Sequence, residues 1–160
     1  MESREFVFQE FVRPYKKVMR EEITKLTGIT KEDVRDARQM WEVFPDFMEF
    51  AGGCILVGYN NVKFDSRFLV RAGRYSKIIM QNPQFDVMKY ADGFREKLGI
   101  TEDKLSLETL SSKLGIENPE AHRALADAIT TARVYLRLKE MDTSEKIVAI
   151  DDLLSDLDNW

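Results

Sequence analysis

Apolar residues recur at the three- and four-residue spacing of a helix face along much of the chain. This spacing predicts helices over residues 21–26, 39–50, 65–72, 86–98 and 106–114. Gly28 and Gly115 follow two of these segments, where glycine commonly ends a helix. Thr30, with an acid three positions later, has the pattern of a helix-starting capping box. A longer helix is predicted from Pro119 to about Lys139, and a further one over the acidic residues 143–160.

Shorter apolar runs predict strands between these helices. Residues 5–12 hold three phenylalanines ahead of Pro14, and residues 78–80 form another short run. The segment Cys54-Ile55-Leu56-Val57 is wholly apolar, which is typical of a strand buried on both faces of a parallel sheet. Strands that are followed by helices indicate an α/β domain.

Composition narrows the class of protein. The 160 residues are 44% hydrophobic, enough for one domain with its own core. A net charge of -4 argues against a polybasic protein that coats nucleic acid, but it is compatible with a metal-dependent site built from carboxylates. The lone Cys54 cannot form an internal disulfide, which favours a cytoplasmic location. The longest apolar stretch is too short to span a membrane, and the first residues do not resemble a signal peptide.

Three residues are candidates for chemistry. Asp65 stands between an apolar strand and a predicted helix, at the end of a sheet where α/β proteins collect ligands. His122 and Asp127 lie near the start of the long predicted helix, where a five-residue separation rotates them by roughly 140°. A carboxylate binds metal ions, and imidazole accepts a proton from water at neutral pH. Together they suit metal-assisted hydrolysis.

Each candidate also has a purely structural interpretation. Asp65 could be only an N-cap, which stabilises a helix by about 1 kcal/mol. Asp127 could be an exposed helix acid paired with Arg123, one turn earlier. His122 could be a surface or capping residue. All three residues occur together, and in the expected order along the chain, which favours the functional interpretation.

The segments around these residues resemble the motifs of the DEDDh 3'-5' exonucleases. Tyr59-Asn60-Asn61 with Phe64-Asp65 is similar to the second motif, and His122 to Asp127 matches the His-x4-Asp spacing of the third. Other segments have counterparts in the same order: residues 8–14 resemble the third strand, residues 22–30 a helix with a Gly-Ile turn, and residues 107–114 the helix before the third motif. The resemblance covers residues 6–138.

The resemblance implies a ribonuclease H-like mixed sheet flanked by helices. It implies that Asp65 and Asp127 bind Mg²⁺ or Mn²⁺ in a two-ion site and that His122 is the general base. Asn61 would contact the substrate or shape its turn, and Asp86 would support the fold. Such a site hydrolyses the 3' end of single-stranded DNA or RNA and releases nucleoside 5'-monophosphates.

The family's first motif, an Asp-x-Glu pair on a central strand, has no visible counterpart. Glu2 and Glu5 are not embedded in an apolar strand. We therefore expect a fold that lacks its first one or two strands, with residues 1–140 forming an N-terminally incomplete exonuclease-like domain and residues 141–160 an acidic helix or tail. The expected consequence is impaired catalysis or, alternatively, an inactive exonuclease fold that binds nucleic acid or a protein. A polymerase, or a swapped subunit that supplies the absent strands, is the expected partner.

Basic residues follow one another at helical spacing beside Asp65. Lys63, Arg67 and Arg71 are four residues apart, and Arg74 and Lys77 extend the series. Lys63 and Arg67 are candidate substrate contacts, because such a stripe can track a phosphate backbone. A solvated helix face is an equally good interpretation. No feature of the sequence distinguishes DNA from RNA.

Overall fold

The structure is a computed structural model that describes residues 7–15 and 20–157, with side chains described as far as residue 142. Helix α1 (Glu21–Thr27) ends at Gly28, which takes the left-handed conformation with φ +70°. Helix α2 (Lys31–Arg35) begins with the expected capping box: Thr30 Oγ1 accepts from the Asp33 N–H, and the Asp33 carboxylate accepts from the Thr30 N–H at 2.7 Å. The sequence-based predictions at both helix boundaries are confirmed.

The centre of the fold is a parallel strand–helix–strand unit. Helix α3 (Met40–Ala51) precedes strand β1 (Leu56–Gly58), and helix α4 (Asp65–Ser76) returns the chain to strand β2 (Gln84–Asp86). The strands pair in parallel, with Val57 opposite Phe85. This unit, surrounded by helices, confirms the predicted α/β class.

The main core lies among the helices that follow β2 in the chain. Helix α5 (Val87–Ala91) starts directly after β2 and runs into a 3-10 turn. Helix α7 (Ala124–Leu157) packs on both α5 and α6 (Leu107–Lys113). The core residues that are almost fully inaccessible to solvent are Val87, Ala91, Leu110, Val134 and Leu138. In the described part of the chain, no helix is long and apolar enough to cross a membrane.

Helices α3 and α4 pack closely against each other, and Gly73 lies beside this contact. Phe44, the most buried aromatic residue in the described part of the chain, lies between them. A Cβ added to Gly73 would lie 2.5 Å from the carbonyl oxygen of Ile78 and 3.4 Å from the Phe44 ring. A glycine is needed here because the chain reverses tightly after α4.

The strand predicted over residues 5–12 is wrong for residues 7–12, and its first two residues lie outside the described ones. Residues 7–12 are irregular, and Arg13 makes an isolated parallel bridge with Gln39. The Phe8 ring packs on Phe47 and Phe50, with ring centroids 5.9 and 5.5 Å away. The apolar run therefore reflects packing onto α3, which burial alone does not distinguish from strand pairing.

The two other strand predictions are only partly correct. At residues 54–57 the strand begins later, at Leu56, and it is not buried on both faces: Ile55 and Val57 are 60% and 44% exposed. Both side chains line an open groove along this strand, which leaves that face uncovered. The strand predicted at residues 78–80 is wrong. The Ile78 N–H donates to the Gly73 carbonyl and closes α4, and the strand forms after Pro83 instead.

The long C-terminal helix begins later than predicted and extends further. His122 has φ +70°, outside the right-handed helical region, and the helix starts at Ala124. The backbone of residues 143–157 continues α7 without a break, so the further helix predicted there is not a separate element. The helix predicted over residues 86–98 is regular only to Ala91.

Candidate active site

A groove of about 1280 Å³ runs along β1 and is walled by α3, α4 and α7. We call it the β1 groove. Much of its wall is apolar, with Phe47, Phe50, Ile55 and Phe68 among the lining residues. Four of the residues predicted to form a site also line it: Asn61, Asp65, His122 and Asp127. Residues separated by more than 50 positions in the chain are thus brought to one surface.

Asp65 is the first residue of α4, at the end of the turn that follows β1. Within this turn Asn60 takes a left-handed backbone conformation, and its N–H donates to the Asp86 carboxylate at 2.9 Å. Because Asp86 ends β2, this hydrogen bond ties the turn to the carboxyl end of the neighbouring strand. The Ser66 N–H donates to the Asn61 carbonyl at 2.9 Å and completes the entry into α4.

Asn61 is buried beneath the same turn. Its Nδ2 donates to Gln84 Oε1 at 3.0 Å, and Gln84 Oε1 also accepts from the Ser66 hydroxyl. A Cβ added to Gly58 would lie 2.6 Å from the Asn61 Cβ, so this close packing requires glycine at position 58. These contacts connect β1, β2 and α4 at the point where Asp65 enters the groove.

The carboxylate of Asp65 lies in a partly desolvated position even though the residue is exposed at one side. Burial raises the pKa of Asp65 above its ordinary value, a hydrogen bond from its own backbone N–H opposes this, and the negative charge of Asp86 raises the pKa further. No lysine or arginine among the described residues forms an ion pair with Asp65. A bound cation would therefore stabilise the ionised carboxylate.

Asp127 sits in the first turns of α7 and is held by the loop that precedes the helix. Its Oδ1 accepts from Asn118 Nδ2 at 2.8 Å and from the His122 N–H at 3.4 Å. The left-handed backbone at His122, with φ +70°, makes this inward-pointing N–H possible. Such a conformation is uncommon outside glycine, although histidine adopts it more often than most residues. The His122 side chain lines the groove and is exposed.

The geometry bears on the structural interpretations of these residues. The N-cap of α4 is Phe64, which makes no side-chain cap hydrogen bond, so Asp65 is not the N-cap residue. Arg123 does not pair with Asp127; its Nη1 donates to the Thr27 carbonyl at 3.3 Å instead. The five-residue helical rotation assumed for His122 and Asp127 does not apply, because His122 precedes the helix.

The two basic candidates lie elsewhere. Lys63 is exposed in the turn before α4 and does not line the β1 groove. Arg67 lines a separate depression on α4 with Val70, Arg71 and Tyr75. The two-residue offset from Asp65 to Arg67 turns the side chain by about 200° around a helix, which explains this separation.

Three residues that hold the site were not assigned to it from the sequence. Asp86 accepts the turn N–H of Asn60 and caps α5 by accepting from the Met88 N–H at 3.1 Å. Gln84 supports Asn61, and Asn118 supports Asp127. The sequence pattern around these residues was only weakly informative: Asp86 follows an aromatic strand residue, and Asn118 lies shortly before a long helix. Asp and Asn are common at such positions simply because their side chains cap helices and turns.

The carboxylate oxygens in the groove are ligands of the type that a hard divalent cation prefers. Carboxylate oxygens are the ligands that Mg²⁺ prefers, and Mg²⁺ is often held by one or two carboxylates together with water and substrate phosphate. Asp65 and Asp127 supply two carboxylates to the groove. Among the described residues, no group of three or more His, Cys, Asp or Glu side chains is arranged to hold a metal ion.

Comparison with known proteins supports the assignment that the motifs indicated. The family model described as "Exonuclease" matches residues 2–135. The chain is 32% identical to the DNA polymerase III subunit epsilon of Aquifex aeolicus over 123 residues, which is 75% of this chain and 57% of that protein. It is 33% identical to the PolC-type DNA polymerase III of Bacillus subtilis over 154 residues, 93% of this chain and 10% of that protein.

The corresponding enzyme of Caldanaerobacter subterraneus is 32% identical over 133 residues, 83% of this chain and 9% of that protein. The chain thus spans about a tenth of the PolC-type relatives and a little over half of the epsilon subunit. The family model covers more than half of the chain, and the fold is the α/β arrangement that the motifs imply. The chain matches the family model, carries the motifs in family order and presents Asp65 from a parallel strand–helix–strand unit. It therefore belongs to the DEDDh-type exonuclease family.

Proposed function

We propose that this chain is a 3'-5' exonuclease domain that hydrolyses the terminal phosphodiester of a single-stranded nucleic acid and releases nucleoside 5'-monophosphates. The observation that carries the proposal is the convergence of Asp65, His122 and Asp127 on the β1 groove, in a chain of the exonuclease family. Asp65 begins α4, whereas His122 and Asp127 lie more than 50 positions later, in the loop before α7 and in the first turn of that helix. Proximity along the chain therefore does not explain their meeting.

Asp65 and Asp127 would hold Mg²⁺ or Mn²⁺. The Asp127 Oδ1 is engaged by Asn118 and the His122 N–H, so Oδ2 is its more available metal ligand. A divalent cation supplies charge stabilisation for the phosphate as negative charge develops on it. The two negative charges of these carboxylates balance the charge of one divalent ion but not the charge of two. We therefore expect weak metal affinity and slow turnover by this chain alone.

His122 acts as the general base. His122 is exposed and lines the same groove as the two carboxylates, and its ring accepts the proton of the attacking water. The water oxygen then bonds to phosphorus as the bond to the 3' oxygen of the preceding nucleotide breaks, and that oxygen leaves with the electron pair. Asn61 acts as a positioning residue, since its hydrogen bond to Gln84 holds the turn that presents Asp65. Lys63, exposed beside that turn, contacts the phosphates of the strand.

The wider setting is part of the same proposal. The relatives are DNA polymerase III proteins, so we propose DNA as the substrate and association with a polymerase as the context. The free and exposed Cys54 is consistent with a reducing cytoplasm.

The test is cleavage of a 5'-labelled single-stranded 20-mer by the 160-residue chain in Mg²⁺ or Mn²⁺. We expect products that shorten stepwise from the 3' end, abolished by EDTA and lowered at least a hundredfold in the Asp65→Asn, Asp127→Asn and His122→Ala variants. Asp36→Asn, a change at an exposed residue that does not line the groove, is the matched control and should retain activity. Tight binding of the 20-mer without shortening by the wild-type chain would favour the alternative of a non-catalytic exonuclease fold.

Calorimetric titration of Mn²⁺ separates metal binding from turnover. We expect uptake by the wild-type chain and by Asp36→Asn, and none by Asp65→Asn. Cleavage without any measurable Mn²⁺ uptake would contradict the roles proposed for the two carboxylates.

A further inference from the structure

The face of α4 that points away from the β1 groove is strongly basic. Five of the 24 basic residues of the chain lie between Lys63 and Lys77, with one of the 28 acidic residues, Asp65. This 15-residue segment therefore carries a net charge of +4, while the rest of the chain carries -8. A concentration of one charge on an otherwise acidic protein creates a local potential that attracts polyanions.

Three arginines define this surface. Arg67, Arg71 and Arg74 are spaced by four and three residues and so share one face of α4, and they line a depression of about 520 Å³ with Val70 and Tyr75. We call it the α4 basic face. None of the three arginines forms an ion pair with a carboxylate in the described part of the chain. Like charges at this spacing destabilise a helix, so an anion bound between them would relieve a cost that the free protein carries.

Exposed aromatic rings are interleaved with these charges. The Arg71 guanidinium lies 5.7 Å from the ring centroid of Tyr15 and 5.9 Å from that of Tyr75. The two tyrosines are 71% and 53% exposed. Tyr75 also packs on Trp41, with ring centroids 5.6 Å apart, which holds its ring in place. A solvated helix face does not require exposed aromatic rings, whereas a surface that stacks bases does.

We propose that the α4 basic face binds single-stranded nucleic acid, with the arginines on phosphates and Tyr15 and Tyr75 stacking on bases. The choice of nucleic acid rests on the proposed function, and the surface deepens that function by adding a binding site remote from the scissile bond. Arg67 and Asp65 lie on opposite sides of α4, so the strand is held about one helix diameter, roughly 10 Å, from the site that cleaves its end. An acidic protein would match the charge but would leave the exposed tyrosines without a role.

The test is fluorescence anisotropy of labelled dT20 binding to the 160-residue chain in EDTA, where no cleavage occurs. In the Arg67→Gln/Arg71→Gln/Arg74→Gln variant we expect affinity to fall at least tenfold at 50 mM salt. The slope of log affinity against log salt concentration should become shallower by about 2, since each phosphate contact to a single strand contributes roughly 0.7. Arg20→Gln/Lys25→Gln/Lys31→Gln, at the N-cap of α1 and within α1 and α2, makes the same charge change and should bind nearly as well as wild type.

Two further measurements separate nucleic acid from other anions. Tyr75→Leu should weaken dT20 binding about tenfold with an unchanged salt slope, because stacking contributes without a charge. An abasic strand of the same length should bind more weakly than dT20. Equal loss in the two triple variants would overturn the proposal, as would polyglutamate or the abasic strand binding as tightly as dT20. Polyglutamate binding as tightly as dT20 would indicate an acidic protein partner.

Failure here is distinguishable from failure of the exonuclease proposal. Binding in EDTA depends on the α4 basic face and not on metal ions or turnover. A wild-type chain that binds dT20 through the arginines but never shortens it would support this surface and reject the enzyme. A chain that shortens dT20 while the arginine variant binds like wild type would do the reverse.

Discussion

Asp86 offers a sharp test of how the fold presents the candidate site. Its side chain is buried at the end of β2, and its Oδ1 accepts the N–H groups of Asn60 at 2.9 Å and Met88 at 3.1 Å. One contact holds the turn that leads to Asp65, and the other caps α5. The Asp86→Ala variant removes both while leaving every proposed catalytic group in the chain.

The expected loss of stability follows from these two contacts. A hydrogen bond to a charged group contributes about 1.5–3 kcal/mol, so the pair contributes about 3–6 kcal/mol. Truncation also removes Oδ2, which is buried without a partner among the described residues, and this relieves about 1–3 kcal/mol of desolvation. We therefore expect the free energy of unfolding to fall by about 3 kcal/mol. For a domain of this size, that corresponds to a melting temperature lower by about 6–12 °C.

Urea denaturation of Asp86→Ala and Asp36→Ala measures this difference. Asp36 is exposed, so its truncation should change the free energy of unfolding by less than about 0.5 kcal/mol. Asp86→Asn keeps the Oδ1 acceptor and should lose less stability than Asp86→Ala. It also removes the charge that raises the pKa of Asp65, so that pKa, followed by NMR titration, should fall. Equal stability of the two alanine variants, or an unchanged Asp65 pKa in Asp86→Asn, would refute the reasoning.

Three further predictions concern single residues. Because burial raises the folded-state pKa of Asp65, ionisation of its carboxylate opposes folding: the stabilisation is complete below the ordinary pKa and lost as pH rises through the folded one. Asp65→Asn should therefore raise the urea midpoint at pH 7 and not below about pH 3.9; an equal rise at both pH values would contradict this. Gly58→Ala places a Cβ 2.6 Å from that of Asn61 and should destabilise by about 1–3 kcal/mol with reduced cleavage, measured by denaturation and the 20-mer assay. Thr30→Ala removes the capping box with Asp33 and should cost about 1 kcal/mol in the same denaturation without lowering cleavage.

Local patterns predicted the boundary between α1 and α2 correctly because its determinants lie within a few residues. The end of α1 at Gly28 and the start of α2 at Thr30 depend on a left-handed glycine and on a side chain three positions from its partner. Strands were predicted less well. The apolar run around Phe8 packs on α3 instead of pairing, and Ile78 closes α4. An apolar run specifies burial, and whether burial is achieved by pairing or by packing depends on distant neighbours.

The sequence by itself determined the α/β class and the family, and it identified Asp65, His122 and Asp127 as candidates. It could do so because the order and spacing of the motifs are visible along the chain without knowledge of the fold. Only the tertiary structure decided that His122 precedes α7 and donates its N–H to Asp127, and that Arg67 lies apart from the β1 groove. It also decided that Asp86 holds the turn of Asn60, 26 residues away. Such contacts form when distant segments are packed together, and their hydrogen-bond geometry is set by strand register and helix orientation, which no local pattern encodes.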